Sequence, residues 1–277
     1  METLRLIRVG NCLLTMAAVW LGAYMTWLEP VYLTPTLASV AAFLVCGAGN
    51  AINDAVDVEI DRVNKAHRVL VRGGLSVRYA VWLAIILTVL AIGVGAVVNL
   101  EVLIVVVVAC GLLVAYNLYL KRIPLVGNFV VALLGAMTFV TGGLAIHTTW
   151  AWELPGPLIP AAFALFLHIV REIIKDAEDI EADRSAGVCT LPQVVGVRSA
   201  LMIALGLLFV LILLTYVPVF FGWFGRGYEI IAIYIIDLPM LLLLILIWGN
   251  PTQKMLKIGS LALKFSMISG VIALLIG

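Results

Sequence analysis

Charged residues are scarce in this 277-residue sequence, in which Asp, Glu, Lys and Arg together make up only 12%, against roughly 25% in soluble globular proteins. Hydrophobic residues make up 64%. A chain with so few charges cannot cover a large fold with a solvated surface, which excludes the ordinary soluble classes. The formal net charge of +1 says little about partners, because the distribution of charge matters more than its sum. We expect no nucleic-acid partner and infer no obligate protein partner.

Cysteine patterns typical of disulfides and zinc sites are also missing. The four cysteines show neither a Cys-x-x-Cys pair nor another zinc-ligand spacing, and a cysteine inside an apolar run is usually a small packing residue. The N-terminal segment has arginines ahead of an apolar stretch but no compelling cleavage site. We therefore interpret it as a membrane span and not as a cleaved signal peptide.

Long apolar runs fill most of the chain instead. A helix needs about 20 apolar residues to cross ~30 Å of hydrocarbon, and such runs recur between turn signals such as Glu29-Pro30 and Gly249-Asn250-Pro251. We predict an all-α polytopic membrane protein with nine transmembrane helices. The predicted spans are about 9–28, 33–53, 79–98, 101–119, 124–146, 157–175, 197–217, 228–248 and 258–276.

The basic residues orient these spans. With the N-terminus in the cytoplasm, nearly all of the 17 Lys and Arg residues fall on the cytoplasmic side, including Lys65, while Arg226 lies outside and Lys264 within the last span. This bias follows the positive-inside rule. We predict an integral protein of the cell membrane with an external C-terminus and two long cytoplasmic connections, at about 50–78 and 172–197.

These two connections carry the same acidic sequence. NDAVDVEIDR (53–62) and KDAEDIEADR (175–184) are identical at six of ten positions. Extending each backwards gives oxygen-bearing side chains at offsets of −4, 0, +3 and +7 from Asp54 and Asp176. At about 100° per helical residue these offsets fall in one sector of roughly 60°, so each segment is predicted to form one helical stripe of carboxylates.

The stripes predict a metal site. Like charges one turn apart destabilise a helix unless a cation lies beside them. Clustered oxygen donors suit Mg²⁺, which takes one or two carboxylates and keeps other positions for water and phosphate, and two facing stripes could hold such ions with a diphosphate between them. The predicted ligands are Asn50, Asp54, Asp57, Asp61, Asp176, Asp179 and Asp183.

Basic residues near the acids could hydrogen-bond phosphate oxygens. They are Arg68, Arg72, Lys121, Arg122 and Lys175. The alternative interpretation is that all these charges are solvated loop residues and that the basic ones only fix the topology. That alternative explains the basic residues well, but it places no demand on the spacing of the aspartates.

The two motifs resemble those of the UbiA-type intramembrane prenyltransferases. The resemblance rests on NDxxDxxxD from residue 53, on DxxDxxxD from residue 176 with GVCTLP behind it, and on YNLYLKR at 116–122, and it covers essentially the whole chain. It implies nine transmembrane helices around a central cavity that opens to the cytoplasmic side. It also implies a single domain over 1–277, Mg²⁺ as the cofactor, an isoprenyl diphosphate donor and a location in the lipid bilayer.

The resemblance also suggests roles. Asp54 and Asp176 would bind Mg²⁺, and Tyr116 and Lys121, which match the family's Tyr/Lys motif, would take part in catalysis. A tyrosine ring face would stabilise an allylic cation. Residues expected to bind the diphosphate or the substrate are Asn53, Arg68, Arg72, Lys121, Arg122, Lys175 and Tyr119. Alanine at position 54 or 176 is expected to abolish transfer without unfolding, and to relieve repulsion in the metal-free protein.

The acceptor stays open between a lipid-like and an aromatic molecule. DIEADRSAGVCTLP and KRIPLVGN are most similar to the archaeal branch that makes digeranylgeranylglyceryl phosphate, which favours geranylgeranylglyceryl phosphate as the acceptor. HRVLVRGG (67–74) departs from the NRPIPSG-like loop of many members. An aromatic acid such as 4-hydroxybenzoate is the alternative acceptor. A cation transporter is a distant alternative, and neither Asp-Ala pair fits the Asp-Gly start of CDP-alcohol phosphotransferases.

Overall fold

The computed structural model describes residues 1–26, 31–64, 66–185 and 187–277. Within these ranges every regular element is a helix. The predicted turn at Glu29-Pro30, the end of the first predicted span and Lys65 lie outside them. The chain divides into two compact units, one of residues 1–120 and 137–158, the other of residues 121–136 and 159–277.

The first unit is organised around a long central helix. Its helices are α1 (Glu2–Leu6), α2 (Val9–Tyr24), α3 (Leu33–Val56), α4 (Val58–Asn64), α5 (Val77–Val98), α6 (Leu100–Leu118) and the second half of α7 (Val126–Ile146). Helix α3 packs along α2, α5 and α6. Ala48, Ala51 and Ala55 of α3 are buried in one cluster with Ala80 and Ala84 of α5, since small side chains let two helices approach closely.

Two glycines bring α2 against the second half of α7. A Cβ atom on Gly22 would lie 1.9 Å from the carbonyl oxygen of Phe139, and one on Gly142 would lie 1.9 Å from the carbonyl oxygen of Val19. Glycine is thus required at both positions, because any side chain would overlap the opposite backbone.

The second unit has an apolar core of its own. Its helices are the first half of α7, α8 (Leu158–Glu178), α9 (Ile180–Ser185), α10 (Leu191–Val195), α11 (Val197–Phe220), α12 (Arg226–Glu229), α13 (Leu238–Gly249) and α14 (Gln253–Ile276), with a π-helix over Ile230–Asp237. Ile169, Val170, Ile173 and Ile174 of α8 are buried in one cluster with residues of α11, α13 and α14. Asp176 of the second motif also lies in α8, at the edge of this apolar face, and is half-buried.

Among the described residues, seven helical segments are long and apolar enough to cross a membrane: α3, α5, α6, α7, α11, α14 and the segment Arg226–Gly249. The all-α membrane class is confirmed, but the predicted count of nine spans is not. Helix α2 is apolar but has only 16 residues, and α8 carries Arg171, Glu172 and Lys175 in its last two turns. Length and charge thus set these two helices apart from the other seven.

Candidate active site

Each acidic motif folds as a long helix, a break at its middle aspartate and a short helix. Asp57 lies between α3 and α4 with φ −92° and ψ 4°, and Asp179 lies between α8 and α9. The prediction of one continuous helix through each motif is therefore wrong. Aspartate side chains compete with the backbone for hydrogen bonds, which favours helix ends over helix interiors.

The break leaves helix-like backbone hydrogen bonds on both sides of it. In the first motif the N–H of Asp57 donates to the carbonyl of Asn53 at 3.0 Å, and the N–H of Asp61 donates to that of Asp57 at 2.8 Å. The second motif repeats both bonds, at 2.8 and 2.9 Å. The repeated sequence thus forms the same local structure in both motifs. The acidic residues remain about one helical turn apart on either side of the break.

Arg68 joins the first and last aspartates of the first motif. Its Nη1 atom donates to Oδ1 of Asp54 at 2.6 Å and to Oδ2 of Asp61 at 2.7 Å. Both aspartates are buried, with exposed fractions of 5% and 3%. The structure therefore brings together three predicted site residues. Two of them, Asp54 and Asp61, were predicted to bind the metal, and both contact one nitrogen atom of Arg68, which was predicted to bind the diphosphate.

Arg8 supplies a second cation to Asp54, although from the sequence it had only a topological role. Its Nη2 atom donates to Oδ1 of Asp54 at 2.5 Å. Asn50, another predicted metal ligand, donates from Nδ2 to the carbonyl of Ile7 at 2.9 Å. Asn50 thus supports the junction between α1 and α2, from which Arg8 extends. The two arginine contacts join residues 46 and 14 positions apart, so no spacing rule could have found the Arg8 contact.

The other predicted site residues of the first unit are more dispersed. Arg72 lies at the surface, where its Nη2 atom is 3.3 Å from Oε2 of Glu2. Asn53 in α3 and Tyr116 in α6 are half-buried, whereas Tyr119, just beyond α6, is exposed. The proposed substrate contacts of these four residues stay predictions.

In the second unit, Asp176 has a polar partner that the sequence did not single out. Nδ2 of Asn128, on α7, donates to Oδ2 of Asp176 at 2.8 Å. One turn earlier on α8, Glu172 accepts a hydrogen bond from Arg171, and its Oε2 lies 4.0 Å from Nζ of Lys175. In the second unit, an amide group therefore contacts Asp176, and two cations lie beside Glu172, one turn earlier.

The remaining predicted residues of this unit occupy short elements. Asp183 lies in α9 and is half-buried like Asp179, and Lys121 and Arg122 lie in the 3-10 helix Leu120–Arg122. The structure positions them near chain turns, and their proposed roles stay predictions.

The donor atoms of the first motif fit a hard divalent cation. Nη1 of Arg68 donates to both Asp54 and Asp61, so a single positive charge at this position contacts both carboxylates. Mg²⁺ is usually held by one or two carboxylates together with water and phosphate oxygens, so this pair is a sufficient protein contribution. In the described ranges no three His, Cys, Asp or Glu side chains form a metal-binding group.

A family model decides what kind of protein carries these motifs. The model of the UbiA prenyltransferase family matches residues 12–268. The chain belongs to the UbiA prenyltransferase family. It is therefore a prenyltransferase and an integral membrane protein, and the resemblance drawn from the two acidic motifs is confirmed.

Curated UbiA relatives match over the full length. The digeranylgeranylglyceryl phosphate synthase of Natronomonas pharaonis is 34% identical over 278 residues, covering 98% of this chain and 95% of the relative. The enzyme of the same name from Pyrococcus furiosus is 32% identical over 275 residues, covering 97% of this chain and 96% of the relative.

Solved structures of UbiA proteins share the fold. A structure concerned with digeranylgeranylglyceryl phosphate synthase in membranes has a TM-score of 0.80 and 30% identity, covering 100% of this chain and 97% of that chain. A UbiA homologue from Archaeoglobus fulgidus bound to GPP and Mg²⁺ has a TM-score of 0.69 and 21% identity, covering 99% of both chains. The second likeness shows the common fold.

Proposed function

We propose that this UbiA prenyltransferase transfers a geranylgeranyl group from its diphosphate to geranylgeranylglyceryl phosphate, with Mg²⁺ as the cofactor, in archaeal-type membrane lipid synthesis. The observation that carries the proposal is the full-length similarity to archaeal enzymes named digeranylgeranylglyceryl phosphate synthase. The buried pair of Asp54 and Asp61 around one cationic nitrogen supports the metal dependence.

In this reaction the bond between the prenyl carbon and the diphosphate oxygen breaks. An ether bond forms to the acceptor hydroxyl, whose proton is released. Bound Mg²⁺ would supply Lewis-acid stabilisation of the leaving diphosphate. Asp54 and Asp61 would hold the cation in the first unit, and Asp176, oriented by Asn128, would do so in the second. Further proposed ligands are Asn50, Asp57, Asp179 and Asp183.

Cations of the protein would complete the binding of the donor. Lys121 would stabilise charge on the diphosphate, and Tyr116 would present its ring face to the allylic carbon as positive charge develops there. Residues proposed to bind the diphosphate or the substrate are Asn53, Arg68, Arg72, Arg122, Lys175 and Tyr119.

We also propose that residues 1–277 act as one prenyltransferase domain, with the N-terminus and both acidic motifs on the cytoplasmic side. The support is the distribution of Lys and Arg in the sequence. Accessibility of single cysteines placed near the N-terminus and near Arg226 to a membrane-impermeant thiol reagent tests this orientation, using a variant that lacks the four native cysteines.

The acceptor is tested with purified protein in detergent. Geranylgeranyl diphosphate and Mg²⁺ are offered with geranylgeranylglyceryl phosphate in one reaction and with 4-hydroxybenzoate in another, and prenylated products are identified by mass spectrometry. We expect product from the glyceryl phosphate. Turnover of the aromatic acid alone would overturn the proposed acceptor, and an Asp176→Asn variant controls for a contaminating transferase.

A further inference from the structure

The junction between α1 and α2 holds an arginine in an unusual backbone conformation. Arg8 has φ 53° and ψ 59°, in the left-handed region that is unfavourable for a residue with a Cβ atom. Two side chains fix this junction, because Nδ2 of Asn50 and Sγ of Cys12 both donate to the carbonyl of Ile7, at 2.9 and 3.2 Å. Strained backbone that is held in place by its surroundings is typical of functional sites.

The side chain of this arginine forms a buried ion pair. Arg8 reaches Oδ1 of Asp54, and Arg68 donates to the same oxygen. Arg68 also donates to Asp61. Two buried carboxylates and two guanidinium groups thus lie in one hydrogen-bonded cluster, in which each buried negative charge has a cation beside it.

We propose that Arg8 and Arg68 are exchangeable countercations of the metal site. They neutralise Asp54 and Asp61 before the donor binds, and they pass to the diphosphate oxygens of the donor when Mg²⁺ takes the carboxylates. This inference rests on the proposed function, because it requires an Mg²⁺–diphosphate donor. It adds Arg8, from the N-terminal junction, to the residues that handle the donor.

Competition for one carboxylate favours the exchange. Oδ1 of Asp54 already accepts two guanidinium hydrogen bonds at 2.5 and 2.6 Å. A divalent cation on the same carboxylate would repel both arginines at close range. A guanidinium group binds phosphate oxygens as well as it binds carboxylates, so a diphosphate arriving with the metal offers each arginine a new partner.

The exposed fractions favour movement of the arginine and not of the acid. The side chain of Arg8 is 34% exposed, whereas that of Asp54 is 6% exposed. Arg8 therefore has room to turn while the carboxylate stays in place. Arg68, at 17%, is more enclosed, and we expect it to move less freely than Arg8.

Calorimetric titration of the purified full chain tests the exchange without any turnover. We expect Arg8→Gln to bind Mg²⁺ alone about tenfold more tightly than the unaltered protein, because a competing charged hydrogen bond is gone. At saturating Mg²⁺ the same variant should bind inorganic diphosphate about tenfold more weakly. Arg68→Gln should show both changes, and Arg8→Lys should restore values near those of the unaltered protein.

Two further variants separate the exchange from a loss of structure. Arg8→Gly removes the same charge and suits a positive φ, so it should repeat the effects of Arg8→Gln in a folded protein. Arg5→Gln removes a nearby exposed arginine that pairs with Glu2, and it should leave both affinities unchanged.

Each outcome decides between the two hypotheses. Equal or weaker binding of Mg²⁺ alone by both Arg8→Gln and Arg8→Gly would overturn the exchange, while prenyl transfer by the unaltered protein would leave the proposed function standing. Failure of the unaltered protein to bind Mg²⁺ and diphosphate at all would overturn the proposed function and the exchange with it.

Discussion

Replacing Asp54 with asparagine should destabilise the metal-free protein. From the sequence alone, loss of this carboxylate was expected to relieve repulsion between neighbouring acids. The structure reverses that expectation, because Asp54 is the shared partner of Arg8 and Arg68. Asparagine keeps the shape and an acceptor oxygen but removes the negative charge, so the two arginines lose their common counterion.

The size of the effect follows from burial. Breaking a buried ion pair costs about 3–5 kcal/mol, and a hydrogen bond to a charged group contributes about 1.5–3 kcal/mol. Arg8 is 34% exposed and can regain water, and Arg68 keeps its contact with Asp61 at 2.7 Å. Both facts reduce the cost, and we expect a loss of about 2 kcal/mol in the free energy of unfolding.

Thermal unfolding in detergent with EDTA measures this loss through tryptophan fluorescence. A loss of about 2 kcal/mol corresponds to a Tm lower by about 4–8 °C in a chain of this size. Glu59→Gln is the matched control, because its partner Arg62 lies in an exposed pair three residues away, which contributes little. A Tm for Asp54→Asn equal to or above that of the unaltered protein would refute the ion-pair argument.

Three other results are expected. Asn128→Ala should reduce prenyl transfer by about 10–100-fold, since it removes the group that orients Asp176; unchanged steady-state rates across a Mg²⁺ titration would contradict this. Gly22→Ala should lower the unfolding temperature, with overpacking costing about 1–3 kcal/mol, because its Cβ meets the backbone of Phe139. Gly206→Ala, with open space around it, should be neutral or stabilising, and similar shifts for the two variants would show that the close contact is unimportant. EDTA should abolish transfer and added Mg²⁺ should restore it, whereas full activity in EDTA would exclude a metal-dependent reaction.

The lengths of the apolar runs predicted most of the helices correctly. They did not predict how many of these helices are long and apolar enough to cross a membrane. Helix α5 was expected at 79–98 and runs from Val77 to Val98, because hydrophobicity and turn residues are local signals. Helix α8 was expected to end at 175 but continues to Glu178. Ala177 extends the buried face of α8 past residue 175, and this packing is not visible in the length of the apolar run.

The acidic residues of the site could also be predicted from the sequence, but the residues that contact them could not. Repeated spacing identified Asp54 and Asp61, and their convergence on Arg68 agrees with one shared cation. Arg8 reaches its aspartate from the junction between α1 and α2, and Asn128 reaches its own from α7, both from positions distant in the sequence. Nothing in the local pattern marks them, since a lone arginine before a span has the same appearance whether it pairs with phospholipid or with a buried acid.

The position of Arg8 has a practical consequence for expression of this enzyme. The family match begins at residue 12, so a chain trimmed to that boundary would lose Arg8 and also Leu6, which is fully buried. Such a shortened protein would retain both acidic motifs but would lack the arginine that pairs with Asp54 in the first motif. Met1, by contrast, is 93% exposed, so an affinity tag added ahead of it is compatible with the fold where a deletion is not.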